Sequence, residues 1–248
     1  MQPEFESRLS ADVKAIVRDT ERSIGTEITV VVDPKRASTS QDEPERMACD
    51  MDAHGAQILI GTATYFPDAS VFHELQHIRR ILVDGIPRIV VCEDFEPWSP
   101  QLSTAMTRLD NNLEHLVIVP MELRTYPKRR AYWKRRLEKM IAGLTATKMP
   151  EYERHRFAML GLLLVDQMLP DDKLRSAVVS VLRKFGIEER GERYSAEAIA
   201  KLPVKEKLVR TTFDYFELPT AAGCLEYIDS QNATARTVAL DAPETRLP

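Results

Sequence analysis

The chain has 248 residues, 44% of them apolar and 29% charged, with a formal net charge of -4. That balance suits a globular chain with a real core, and the small net charge excludes a global field directed at nucleic acid or a membrane. The longest nearly apolar run covers only residues 157–165, against about 20 residues for a bilayer span, so no membrane insertion is expected.

The opening MQPEFESRLS is polar and acidic and lacks the basic and apolar regions of a secretory signal. The three cysteines, Cys49, Cys92 and Cys224, lie far apart without a CxxC. Such a set favours a reducing, cytoplasmic setting over a disulfide framework and offers no zinc-finger spacing. In chain order, Leu9, Val13, Ile16 and Val17 repeat with a helical period over residues 9–24, with Gly25 as the stop. TEITVVVDP (residues 26–34) is β-branched and reads as a strand. Residues 35–56 read as a polar, mobile loop, and QILIGT (57–62) as a second strand. Pro67 breaks the chain; a helix follows, with Asp68 or Ser70 suited to cap it and Gly85 and Pro87 to end it. PRIVVCEDF (87–95) fits a strand or a short helix, and periodicity does not decide.

Ser99-Pro100 opens the next helix, with serine as cap and proline in the first turn. Leu102, Ala105, Met106, Leu109, Leu113, Leu116 and Val117 share one stripe of it. After Pro120 the chain reads as helical almost to its end, with helices over residues 128–142, 151–168, 171–185, 195–201 and 204–216 and a frayed last ten. FAMLGLLLVDQML (157–169) reads as a central core helix. The fold class expected is α+β: a small β-sheet with two long helices, then a mostly helical C-terminal part. A soft division near residues 147–150 separates a mixed region, 1–147, from a helical one, 148–248.

The chemistry concentrates in ASVFHELQHIRRILVDG, residues 69–85. His73-Glu74-Leu75-Gln76-His77 matches HExxH. Residues four apart stack on one helical face, so both imidazoles can reach one Zn²⁺ at about 2.0–2.1 Å. Glu74, beside His73, is placed to act on water instead of ligating the ion. On a helical wheel Val71, Leu75, Ile78 and Leu82 form an apolar stripe, with the histidines nearly opposite and facing a cleft. A fully buried helix is not expected. Arg80 and Asp84 continue the histidine face as i, i+4 partners, and Arg80 is also placed to hold a substrate carboxylate.

A catalytic zinc usually has three protein ligands and one open position. RLDNNLEHLVIVP (108–120) offers Glu114 at the edge of its apolar stripe, with Glu93, Glu96, Glu122 and Asp84 as rival carboxylates. Asp110 or Asn111 would orient a ligating histidine by accepting its free ring N–H. His115 would line the cleft and donate to an oxyanion, or ligate in place of Glu114.

HELQH on one helix and Asn111-Asn112-Leu113-Glu114 on a later one resemble the zincin metallopeptidases of gluzincin type, over about residues 26–122. The metzincin variant needs glycine at 80 and a ligand at 83, where this chain has Arg80 and Val83. The resemblance implies a zinc-dependent peptidase acting on a protein or peptide, with His73, His77 and Glu114 on the metal and Glu74 as general base. A rival function rests on RTYPKRRAYWKRR (124–136), where seven basic residues and Tyr126, Tyr132 and Trp133 would suit a nucleic-acid surface on a regulatory protein that keeps a zincin-like metal site. The same stretch reads more simply as an amphipathic helix burying Tyr132, Trp133, Leu137, Met140 and Ile141. A third option is a structural metal site closed by a fourth ligand such as His115.

Overall fold

A computed structural model describes residues 1–36, 47–96, 98–145 and 149–242. The fold is α+β, with a mostly helical C-terminal part. Contacts divide the chain into two units, Met1–Arg88 with Glu226–Thr237, and Ile89–Leu225 with Val238 onward.

In the first unit, α1 (Pro3–Glu6) leads into α2 (Ala11–Ile24), whose Val13, Val17 and Ile24 are buried. Gly25 ends α2 in the left-handed region at φ 76°, a conformation glycine adopts without a Cβ penalty. Strands β1 (Thr29–Val32), β2 (Ala48–Asp52) and β3 (Gly55–Ile60) form a sheet in the order β1-β3-β2. β1 runs parallel to β3, from Thr29 opposite Gln57 to Val32 opposite Ile60. β2 runs antiparallel, from Ala48 opposite Leu59 to Asp52 opposite Gly55. Ala56, Ile58 and Ile60 alternate inward along β3, the period-two pattern of a half-buried strand. Helix α3 (Asp68–Ile78) packs on α2, β2 and β3 and continues as a π-helical turn, Arg79–Val83.

β2 corrects the last part of the loop expected over residues 35–56, of which residues 37–46 lie outside the described residues. ACDMD has no apolar alternation, and its strand character comes from pairing with β3. Asp52 Oδ1 accepts from His54 N at 2.7 Å and shapes the hairpin turn. The expected cap of α3 is also corrected. Neither Asp68 nor Ser70 caps it; the Asp68 carboxylate accepts from Ser10 N at 3.1 and 3.3 Å, fastening the start of α2. The wheel projection fails beyond Ile78, because the π turn bonds Asp84 N to Arg79 O. Its wider turn, with more residues per revolution, moves Arg80 and Asp84 off the angular positions a regular helix assigns them.

A second sheet, in the order β4-β5-β6, contains β4 (Arg88–Val91), β5 (Gly223–Asp229) and β6 (Thr234–Ala239). The undecided segment after Pro87 is therefore a strand. The β5–β6 hairpin corrects the expectation of helix almost to the chain end. Asp229 makes its turn by accepting from Gln231 N and Asn232 N, each at 3.1 Å.

The second unit is helical: α4 (Pro100–Thr125), α5 (Arg130–Gly143), α6 (Glu151–Met168), α7 (Asp172–Lys184), α8 (Glu188–Lys201) and α9 (Lys205–Phe216). Ser99 Oγ caps α4 by accepting from Leu102 N at 3.1 Å, as its sequence predicts. α6 is the expected core helix, packed against α4, α5, α7 and α8, with Ala158 to Val165 buried throughout. Each of its fully buried leucines and valines contributes roughly 1.5–3 kcal/mol. α4 runs through Pro120, which has no N–H for the Leu116 carbonyl; Gln167 Nε2 on α6 donates to that oxygen at 3.3 Å instead.

Cys92 and Cys224 form a disulfide with Cα atoms 5.2 Å apart, while Cys49 is free. This overturns the expectation of three unpaired thiols and removes the support they lent to a reducing setting. The pairing needs the β4–β5 neighbourhood, which joins residues 132 apart in sequence.

Candidate metal centre

α3 stacks His73 and His77 as its spacing requires. Their Nε2 atoms are 3.3 Å apart, and the ring centroids are 5.0 Å apart with 72° between planes. Two nitrogens ligating a tetrahedral ion at about 2.0–2.1 Å are separated by about 3.3–3.4 Å, so the pair stands at the edge length of such a site. The same distance suits a ring N–H donating to the other ring, which requires complementary tautomers.

The helix is not two-faced. Every residue from Ser70 to Ile78 is buried, with His73 and His77 each 6% exposed and Glu74 8%. The expectation of an open histidine face fails because β2, invisible as a strand in the sequence, packs against α3. Cys49 on β2 meets Glu74. Burial pushes the Cys49 thiol well above its ordinary pKa, and the Glu74 charge and its hydrogen bond push further in the same direction. Cys49 therefore stays a neutral S–H donor to the Glu74 carboxylate.

His73 and His77 could supply two of the ligands of a metal ion, and imidazole is a preferred zinc donor. His115, on α4 in the second unit, is also buried, at 6% exposed.

Glu114, expected as the third ligand, is engaged within the second unit. Its Oε1 is 2.6 Å from Lys205 Nζ, and Asp110 Oδ1 is 2.6 Å from the same ammonium. Consecutive helical residues point about 100° apart, so the turn that aims His115 sends Glu114 in another direction. Asp110 also accepts from Ile89 N at 3.0 Å, and Asn111 is exposed. The structure thus engages Asp110 with Lys205 and the backbone. Of the rival carboxylates, Glu93, Glu96 and Asp84 are exposed and Glu122 binds Arg129 and Trp133. Lys205 lay outside the sequence reading. It begins α9, about ninety residues beyond Glu114, and no local pattern marks it as a partner.

Much of the basic stretch over residues 124–136 is engaged within the chain. Arg129 Nε donates to Glu122 Oε1 at 2.6 Å, Arg130 to the Pro170 carbonyl at 2.8 Å and Lys134 to Asp171 at 2.7 Å. Arg136 donates to the Tyr132 hydroxyl at 2.9 Å and lies over the Trp133 ring. Trp133, Leu137 and Ile141 form the buried stripe of α5, while Tyr132 and Met140 are half-buried. The amphipathic reading describes this segment.

Comparison of the chain with known protein families, curated proteins and solved structures finds no match in any of the three. Among the described residues no helix is long and apolar enough to cross a membrane.

Proposed function

We propose that this chain is a zinc-dependent hydrolase of the zincin kind that cuts peptide bonds, with His73 and His77 holding the ion and Glu74 as general base. The observation that carries the reading is the pair of buried imidazole nitrogens 3.3 Å apart with Glu74 on the same helical turn. The donors fit zinc, since imidazole nitrogen is one of its preferred ligands. The ion, when bound, supplies Lewis acidity toward a carbonyl oxygen.

Glu74 does the proton work. Its carboxylate takes a proton from the attacking water and passes it to the departing amide nitrogen. The Cys49 S–H donates to that carboxylate and restricts its rotation. Burial around His73, Glu74 and His77 keeps bulk water from competing for the carboxylate.

The test is metal analysis paired with hydrolysis of a mixed fluorogenic peptide set. Wild type and Glu74→Gln should each retain about one zinc per chain, and His77→Ala should lose it. Glu74→Gln should be slower by about 10²–10⁴-fold, the usual contribution of a general base. Wild type without zinc, or a Glu74→Gln protein that hydrolyses as fast, would sink the proposal. Burial of His73 and His77 also favours a second reading, a structural metal centre. It predicts retained zinc, a melting temperature that falls on chelation, and no hydrolysis by any form.

A further inference from the structure

Eight basic residues and one acidic residue, Glu138, fall between positions 124 and 139 of a chain whose net charge is -4. All of them belong to the second unit. Two of the cations are neutralised by carboxylates: Arg129 by the buried Glu122 at 2.6 Å and Lys134 by Asp171 at 2.7 Å. Arg130 and Arg136 donate to uncharged oxygens, the Pro170 carbonyl and the Tyr132 hydroxyl, so their charge persists. Arg124, Lys128 and Arg135 are exposed and have no ion pair among the described residues.

Helix stability does not account for this placement. The N-terminus of a helix is its positive end and favours anionic side chains. α5 has no acidic residue in its first turn; Arg130 opens it and Lys128 precedes it on the turn Pro127–Arg129. Arg135 and Lys139 are like charges four apart, a repulsive spacing on a helix. The buried stripe of Trp133, Leu137 and Ile141 explains the inner face of α5 and leaves the outer one unexplained. At about 100° per residue, Arg135, Arg136 and Lys139 fall on that outer arc, and all three are exposed.

We propose that the outer face of α5, with Lys128 ahead of it, is a docking surface for the phosphate backbone of a nucleic-acid duplex, read without regard to sequence. The proposal stands independently of the zinc reading. A duplex carries one negative charge per about 1.7 Å of its axis. α5, with 14 residues and a length of roughly 21 Å, can meet several phosphates along it. The aromatic residues decide against a single strand, whose bases stack on open rings. Arg129 lies over the Tyr132 ring at 4.0 Å and Arg136 approaches the same ring at 5.7 Å, while Trp133 is buried. Neither ring offers a free face to a base. An anionic membrane is disfavoured because a helix lying on one inserts its apolar face, and that of α5 is turned into the protein.

The test uses the whole chain and a fluorescein-labelled duplex of mixed sequence, followed by anisotropy. With about four phosphates contacted, affinity should fall about 10²-fold between about 50 and 200 mM salt. Lys128→Gln with Arg135→Gln removes two exposed charges, and the slope of log affinity against log salt should shrink by about 2. Lys184→Gln with Lys207→Gln removes the same charge from exposed positions on α7 and α9 and should leave the slope unchanged. No binding of the duplex at the lower salt, or equal losses in the two double variants, overturns the proposal. So does a single strand of the same length that binds more tightly than the duplex. Phosphatidylserine vesicles or polyglutamate that displace the duplex at equal charge overturn it as well. These last comparisons need wild type alone, so they decide the matter even where a variant does not fold.

Discussion

Replacing Lys205 by methionine isolates one buried charge. Its Nζ is 2.6 Å from both Asp110 and Glu114, and the three side chains are 3%, 12% and 1% exposed. Burial alone would lower the Lys205 pKa, but the two adjacent carboxylates outweigh it and the net direction is upward, so the ammonium is charged at neutral pH. Asp110 is pushed up by burial, with Lys205 opposing. Methionine keeps most of the apolar stem and leaves two carboxylates facing each other without a cation. Breaking a buried pair from one side costs roughly 3–5 kcal/mol. At about 2–4 °C per kcal/mol for a chain of this size, the melting temperature should fall by about 6–20 °C. Adding Asp110→Asn and Glu114→Gln to Lys205→Met should recover much of the loss, since no uncompensated charge then remains. Scanning calorimetry or thermal circular dichroism on the wild-type, single and triple forms reads this directly. A single variant within about 0.5 kcal/mol of wild type, the scatter of ordinary surface changes, would refute the reasoning. So would a triple variant no more stable than the single.

The Cys92–Cys224 bond closes a separation of 132 residues. The chain-entropy relation puts its contribution near 5 kcal/mol at most, and measured losses run about 2–5 kcal/mol; urea titrations with and without reductant should show that lowering, and coincident midpoints would contradict it. Asp171 caps α7, accepting from Lys173 N and Leu174 N at 3.1 Å each, and its pKa is lowered chiefly by the hydrogen bond from Lys134. A depressed carboxyl adds stability above its unfolded pKa and loses it as pH falls through the folded value. Asp171→Asn keeps a capping oxygen and loses the Lys134 pair. It should therefore melt below wild type at neutral pH and converge with it in acid; a gap that persists in acid would exclude the ion pair as its cause.

The elements legible in the sequence are those whose information is local. The i, i+4 histidines of α3 meet because one helical turn brings them together, and 3.3 Å between their nitrogens follows from four residues of spacing. Ser99 caps α4 because its hydroxyl reaches an N–H three residues on. The run over residues 157–165 is a core helix because no face of it is polar. Tertiary structure decided everything that depends on distant partners. β2 is a strand only beside β3, and with it α3 becomes buried on every side. Glu114 and His115 are neighbours in sequence, and both looked eligible as the third ligand. What the sequence did not show is that Lys205 engages Glu114. A helix specifies the angle between successive side chains, but what stands at the end of each is set by segments ninety residues away, and local periodicity carries no record of them.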